Sequence, residues 1–194
     1  MHYYPKVKKF VKESFAKKGK FSDELRHFWR TVYWLKKLDS KADEAMLIAA
    51  VAHDIERAFP ISRSKWQKNG KAYFLQRSFS AAHGRAGAFK VEEFLKKERA
   101  PGALIKKVKM MISGHEYGGN YWQNLLKDAD SISFLENQGP LFLKFHRSGS
   151  LASDDIFKKF DWMYGRITSR QAKAYAKPMY QKCVKYLNKF YKDT

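Results

Sequence analysis

Ala45-Met46-Leu47-Ile48-Ala49-Ala50-Val51-Ala52-His53-Asp54-Ile55-Glu56-Arg57 is apolar for eight residues and then abruptly charged. A run without a polar face marks a helix surrounded by other helices, at the centre of an α-helical domain. The polar end is the informative part. A carboxylate beside so apolar a run is costly unless a metal ion or hydrogen-bond partners compensate it. The spacing predicts one helix from about Ala42 to Ala58, ended by Pro60.

The remainder reads as helix on either side of this run. A basic amphipathic segment covers about Tyr4 to Ala16. Ser22 is a plausible N-cap for a helix reaching about Leu38, with Asp23 and Glu24 in its first turn. Leu25, Phe28, Trp29, Val32 and Leu35 recur every three or four residues, which gives that helix one core-facing stripe with His27 beside it. Helices are expected over Ser80 to Lys97, over Gly102 to His115, and from a cap near Asn120 through Asp128 and Asp130. Gly139-Pro140 reads as a break. Two C-terminal helices are expected over 154–191, the last with a kink at Pro178. The segment from Ile61 to Phe79 carries Arg63, Lys65, Trp66, Lys68, Lys71, Tyr73 and Arg77, and reads as a lid over an anionic substrate.

The chain has 194 residues, 44% hydrophobic and 16% aromatic, enough for one domain with a continuous core. Its 39 basic and 19 acidic residues give a formal charge of +20, which favours polyanionic or phosphorylated ligands. The lysines are dispersed in pairs and form no single contacting block, so a small phosphorylated substrate is the first partner expected and nucleic acid the second. Cys183 is the one cysteine, which excludes disulfides and cysteine-based zinc sites. No apolar run reaches the roughly 20 residues of a membrane-spanning helix, and the N-terminus lacks the apolar stretch of a signal peptide. A cytoplasmic protein with no membrane association is the expectation. P-loop, dinucleotide-binding, zinc-protease and nucleophile-elbow motifs are all absent.

His27, His53-Asp54, His83, His115 and the pair Asp128/Asp130 fall on or at the ends of successive helical segments. Imidazole and carboxylate are the donors that hold manganese, iron, cobalt, nickel or zinc while leaving positions for water. If the helices pack as a bundle, their inward residues converge. His27, His53, Asp54 and Asp130 would form one set. Asp54 could bridge to a second ion held by His83 and His115. An isolated helical histidine is more often a hydrogen-bonded structural residue, and that reading suits His2 and His146. It suits the ordered set poorly.

That order resembles the HD-domain superfamily of metal-dependent phosphohydrolases, over roughly 21–136 of the chain. Ala49-Ala50-Val51-Ala52-His53-Asp54-Ile55 resembles the family's buried helix and its His-Asp pair. Ala82-His83-Gly84-Arg85-Ala86-Gly87-Ala88 and Ile112-Ser113-Gly114-His115 resemble the segments that add histidines in dinuclear members. Lys127-Asp128-Ala129-Asp130-Ser131-Ile132 resembles the closing motif, which implies Asp130 as the ligand and Asp128 as a residue behind it or on the helix surface. The resemblance implies a single-domain, all-α helical bundle of the HD type, one or two divalent ions, and hydrolysis of a nucleotide or other small phosphorylated anion by activated water. Some members carry an acidic residue three positions after the aspartate of the pair, where this chain has Arg57, with Glu56 one residue earlier. Asp54, Glu56, Arg57 and Arg85 are the expected catalytic residues, the arginines offsetting phosphate charge. Arg166 is a weaker candidate for that role, and Glu116 is expected to be solvated or, as the alternative, to orient a water. The same ligand order also resembles myo-inositol oxygenase and its smaller diiron relatives, which makes a diiron oxygenase the alternative. A non-catalytic basic module binding nucleic acid is the third reading.

Overall fold

The apolar run of 45–52 lies at the centre of the molecule, in a computed structural model that describes residues 2–16, 23–59, 76–149 and 152–191. The expected cap at Ser22, the stop at Pro60 and most of the expected lid lie outside those residues. The elements are α1 (Tyr4–Ala16), α2 (Asp23–Leu38), α3 (Glu44–Ala52), a 3-10 turn (Ile55–Ala58), α4 (Arg77–Lys97), α5 (Gly102–Gly114), α6 (Tyr121–Ser133), a π turn (Phe134–Gln138), α7 (Gly139–Arg147), α8 (Ser153–Gly165) and α9 (Arg170–Tyr191). Among the described residues there is no strand, and the helices share one hydrophobic core. None of these helices is long and apolar enough to cross a membrane.

α3 packs against α1, α2, α5 and α6. Ala45, Met46 and Ile48 through Ala52 are all buried, so the helix needs no polar face. Its start is capped by Asp43, whose carboxylate accepts the Met46 N–H at 3.0 Å. Around it, Val7, Val11 and Phe15 turn the inner face of α1 to the core at four-residue intervals.

The single helix expected from Ala42 to Ala58 is in fact two pieces. α3 stops at Ala52, and Asp54 adopts φ −107° and ψ 19°, the bridge region between helix and strand. The chain then continues as a 3-10 turn, with Arg57 N–H donating to the Asp54 carbonyl at 3.0 Å. In a 3-10 turn residues three apart eclipse one another. Arg57 is thereby stacked over Asp54, with Nη2 2.7 Å from Oδ2. This ion pair accounts for the change of helix type where periodicity alone predicts continuation.

Gly139-Pro140 does not break the chain either. Gly139 N–H donates to the Phe134 carbonyl five residues back, which closes the π turn, and α7 follows directly. Pro140 then occupies the first turn of α7, where a missing N–H costs nothing. Asn120 caps α6 as expected, its Oδ1 accepting the Gln123 N–H at 3.0 Å. The two C-terminal helices are present, and Pro178 lies inside α9.

α4 approaches the centre closely because it carries two glycines. A Cβ on Gly84 would lie 2.9 Å from the Ser113 carbonyl oxygen, and one on Gly87 would lie 2.9 Å from that of His53. Helical Gly→Ala normally gains up to about 1 kcal/mol. Gly87→Ala should reverse that sign and cost about 1–3 kcal/mol in urea unfolding, because rigid backbone at the end of α3 must move aside.

Candidate metal centre

Six side chains from five elements meet beyond the end of α3. His27 comes from α2, His53 and Asp54 from the α3 terminus, His83 from α4, His115 from the end of α5 and Asp130 from α6. All are buried, the most exposed being Asp130 at 5%. Their donor atoms fall into two triads, His27/His53/Asp130 and Asp54/His83/His115, each with its atoms within 4.8 Å of one another. In the first, Asp130 Oδ1 is 3.0 Å from His27 Nε2 and 3.4 Å from His53 Nε2. In the second, Asp54 Oδ1 is 2.7 Å from His83 Nε2 and 3.4 Å from His115 Nε2. Asp54 Oδ2 turns back to within 3.7 Å of His53 Nε2, so this carboxylate spans both triads.

What holds the four rings in place also fixes their chemistry. Each Nδ1 is engaged behind the site: His53 with the Ala50 carbonyl at 3.0 Å, His115 with the Ile112 carbonyl at 2.7 Å, His27 with Ser133 Oγ at 2.9 Å, and His83 with Glu56 Oε1. A carbonyl only accepts, so His53 and His115 carry their proton on Nδ1. Ser133 Oγ donates to the His27 carbonyl at 2.8 Å, which leaves it to accept from His27 Nδ1. Each Nε2 therefore faces carboxylate oxygens, with its lone pair where the ring is neutral. His53 Nε2 is fully buried and finds no hydrogen-bond partner among the described residues. Lone pairs facing oxygens at these distances repel one another unless a proton or a metal ion lies between them. Four imidazoles and two carboxylates, each imidazole tied at its other nitrogen, fit a pair of divalent transition ions.

Without ions, protons take up part of that role. Burial alone would raise Asp54, but Arg57, His53 and His83 hold it well below the usual carboxylate range. Asp130 is held low in the same way, against its burial, chiefly by Arg166 and His53. Burial disfavours charge on His83, yet Asp54 and Glu56 overcome it and push the imidazole up to about 10. His53 is likewise raised, its burial outweighed by Asp54 and Asp130. His27 is lowered, because burial outweighs Asp130.

The structure separates the other sequence candidates. Asp130 is the centre's carboxylate, whereas Asp128 accepts the backbone N–H of Thr168 at 2.9 Å and of Ser169 at 2.8 Å just before α9. Glu56 is buried and touches His83 Nδ1, so it acts by orienting that ring. Arg85 is exposed. Two residues beyond His83, it points about 200° round α4 from that ligand, and no phosphate-binding role follows. Lys90 pairs with Glu93 at 2.9 Å on the surface, and Arg77 lies over the Tyr117 ring at 5.1 Å. His2 is exposed, and the His146 side chain lies outside the described residues.

Two expectations change more. Glu116 is largely buried instead of solvated, with Oε1 3.9 Å from both His83 Nε2 and His115 Nε2. Arg166, from the end of α8, reaches Asp130 of one triad and Glu116 beside the other. Nη1 donates to Glu116 Oε2 at 2.5 Å, Nη2 to Asp130 Oδ2, and Nε to Ser131 Oγ at 2.8 Å. Lys159, which sequence reasoning did not single out, is buried on α8 over the rings of Trp162 at 4.4 Å and Phe134 at 5.3 Å. Burial pushes its ammonium down to about 8 against the pull of Glu116. Only the basic, aromatic pattern Lys159-Phe160-Asp161-Trp162 could have drawn attention to it.

The family described as Domain of unknown function (DUF4202) matches residues 8–185, which spans every one of these side chains. The chain belongs to the DUF4202 family. No curated protein and no solved structure matches it. For a DUF4202 chain, the buried donors themselves are then the strongest guide to chemistry.

The raised imidazoles give a pH prediction for the metal-free protein. His53 and His83 titrate above their ordinary value of about 6.5, so their contribution is complete below about pH 6.5. It is lost as pH rises through the folded-state values, about 10 for His83. Urea unfolding should show stability falling across that alkaline range in metal-free protein. Saturating metal should abolish the fall, because the ion takes the place of the proton at Nε2.

Proposed function

We propose that this chain is a dinuclear metal-dependent phosphohydrolase acting on a small phosphorylated anion. The observation that carries the reading is the pair of buried His-His-Asp triads joined by Asp54, with four Nε2 atoms aimed inward. His27, His53 and Asp130 would hold one ion, and Asp54, His83 and His115 the other. Such ions, when bound, acidify water and offset phosphoryl charge.

The chain's own residues supply the rest. Glu116 Oε1, at the edge of the second triad, is placed to take up a proton from water there. Arg57 fixes Asp54 from the solvent side with its guanidinium partly exposed, so it can also meet an incoming anion. Arg166 holds Asp130 and Glu116 in one plane of hydrogen bonds, which keeps the two triads in register. Glu56, Ser133 and the Ala50 and Ile112 carbonyls keep the imidazoles from rotating. The surplus of basic residues favours an anionic substrate over a neutral one.

The test is the metal content of protein purified without chelator, wild type beside Asp54→Ala. Wild type should carry close to two manganese, iron, cobalt, nickel or zinc ions per chain and hydrolyse phosphate esters. Asp54→Ala should lose most of both, since one carboxylate serves both triads. Two irons with dioxygen consumption and no ester hydrolysis would replace this reading by the diiron oxygenase. No metal after reloading, with nucleic-acid binding that survives Asp54→Ala, would replace it by a basic binding module.

A further inference from the structure

We infer that the cavity between α7, α9 and the π turn binds a free aliphatic carboxylate, with the alkyl chain inside and the carboxylate held by Lys144 and Lys182. The cavity measures about 450 Å³, within the roughly 300–1,000 Å³ of small-molecule sites. Among the described residues that line it, none belongs to the metal centre, so the site does not depend on the hydrolase reading.

The lining suits an alkyl chain. Leu135 and Leu143 are buried in it, and Met179 and Tyr186 line it from α9, partly buried. Cys183 is buried there too. Burial pushes its thiol up to about 11, so it stays neutral and behaves as an apolar group. α9 comes this close to α7 because Gly139 has no side chain: a Cβ would lie 2.7 Å from Cys183 Sγ. Met179 is unbranched and adaptable, and a methylene chain against it leaves no polar group without a partner.

Charge decides the other end of the ligand. Three charged side chains border the cavity, Glu136, Lys144 and Lys182. Glu136 is already committed, since its two oxygens accept from Arg30 at 2.7 and 2.8 Å and one of them also from Trp34 Nε1 at 2.8 Å. Lys144 on α7 and Lys182 on α9 are exposed, and neither pairs with a carboxylate among the described residues. An apolar interior with a positive rim is the complement of an alkyl chain that ends in an anion. Each ammonium sits on a flexible stem with three donors, so both can meet one carboxylate. A neutral chain would leave the rim unanswered, and an alkyl cation would be repelled by it. A second copy of this chain is disfavoured as occupant by its formal charge of +20.

The experiment measures binding of hexanoate, octanoate and decanoate to the full chain by calorimetry at low salt, with 1-octanol as the uncharged probe. Decanoate should bind at one site per chain, and affinity should rise about threefold or more per added methylene. Lys144→Gln/Lys182→Gln, two changes at exposed positions, should weaken octanoate about fivefold or more and leave 1-octanol unchanged. Met179→Trp, which fills the cavity, should abolish binding of both. Lys12→Gln, on α1, should change neither. Circular dichroism is recorded for every variant. If Met179→Trp does not fold, Pro140→Glu decides in its place, because an exposed first-turn position accepts a carboxylate that should repel octanoate and spare 1-octanol. No binding of decanoate, or octanoate affinity that survives Lys144→Gln/Lys182→Gln or the cavity variant, would overturn the assignment. So would an equal loss in Lys12→Gln, which would mark a general attraction to the basic surface. A chain that sediments as a dimer, becomes a monomer as Met179→Trp and ignores decanoate would give the cavity to a second copy, and the assignment would fall.

Discussion

Two carboxylates with almost no solvent exposure, Asp54 and Asp130, set the terms for everything around them. Ionised carboxylates in an apolar interior are tolerated only with counter-charge at hydrogen-bonding distance. Each has one oxygen facing imidazole Nε2 atoms and the other paired with an arginine, Arg57 for Asp54 and Arg166 for Asp130, and the paired oxygen of Asp54 also comes within 3.7 Å of His53 Nε2. The arginines approach from outside the triads and the imidazoles from within. That leaves the inward side, where imidazole nitrogens and carboxylate oxygens converge, as the place where a proton or a metal ion can lie. Every Nδ1 is tied to a separate group behind the rings, which leaves each Nε2 directed at the carboxylates. The tying costs specific contacts on α2, α3, the 3-10 turn, α5 and α6. It fixes the direction of the opposite nitrogen in each ring.

How far this was legible in the sequence follows from how local each signal is. The apolar run of 45–52 needs no tertiary information to be read as a central helix, and α1, with its stripe of Val7, Val11 and Phe15, has the bounds its periodicity gives. The ligands were visible as a set because each terminates or punctuates its own helix. The break at His53-Asp54 was not visible. It depends on a side-chain ion pair three residues apart, and helical periodicity does not register that. At Gly139-Pro140 the residues themselves misled, since they usually interrupt a helix, but here a π turn absorbs them. Arg166 and Lys159 lie about 30 residues from Asp130 along the chain, and a distant basic residue looks the same in sequence whether it is solvated or buried in a site. Glu116 illustrates the same limit, because its ion-pair partner, Arg166, lies 50 residues away along the chain.

Asp128 and Asp130 show how the ligand-bearing helices and the C-terminal helices become one unit. Two residues apart on α6, they point about 200° apart, so one cannot substitute for the other. Asp130 faces the centre. Asp128 faces α9 and receives the backbone N–H groups of Thr168 and Ser169. Those two residues directly follow Ile167 and Arg166, in the short link between α8 and α9. The link is therefore fastened to α6 at both ends, by Asp128 at Thr168-Ser169 and by Asp130 and Ser131 at Arg166. Fixing the link also fixes the end of α8, and with it the face that carries Lys159 and Trp162. The imidazoles of the two triads come from the first part of the chain, and the buried cations Lys159 and Arg166 from the last. A single helix with two differently aimed aspartates sets the distance between them.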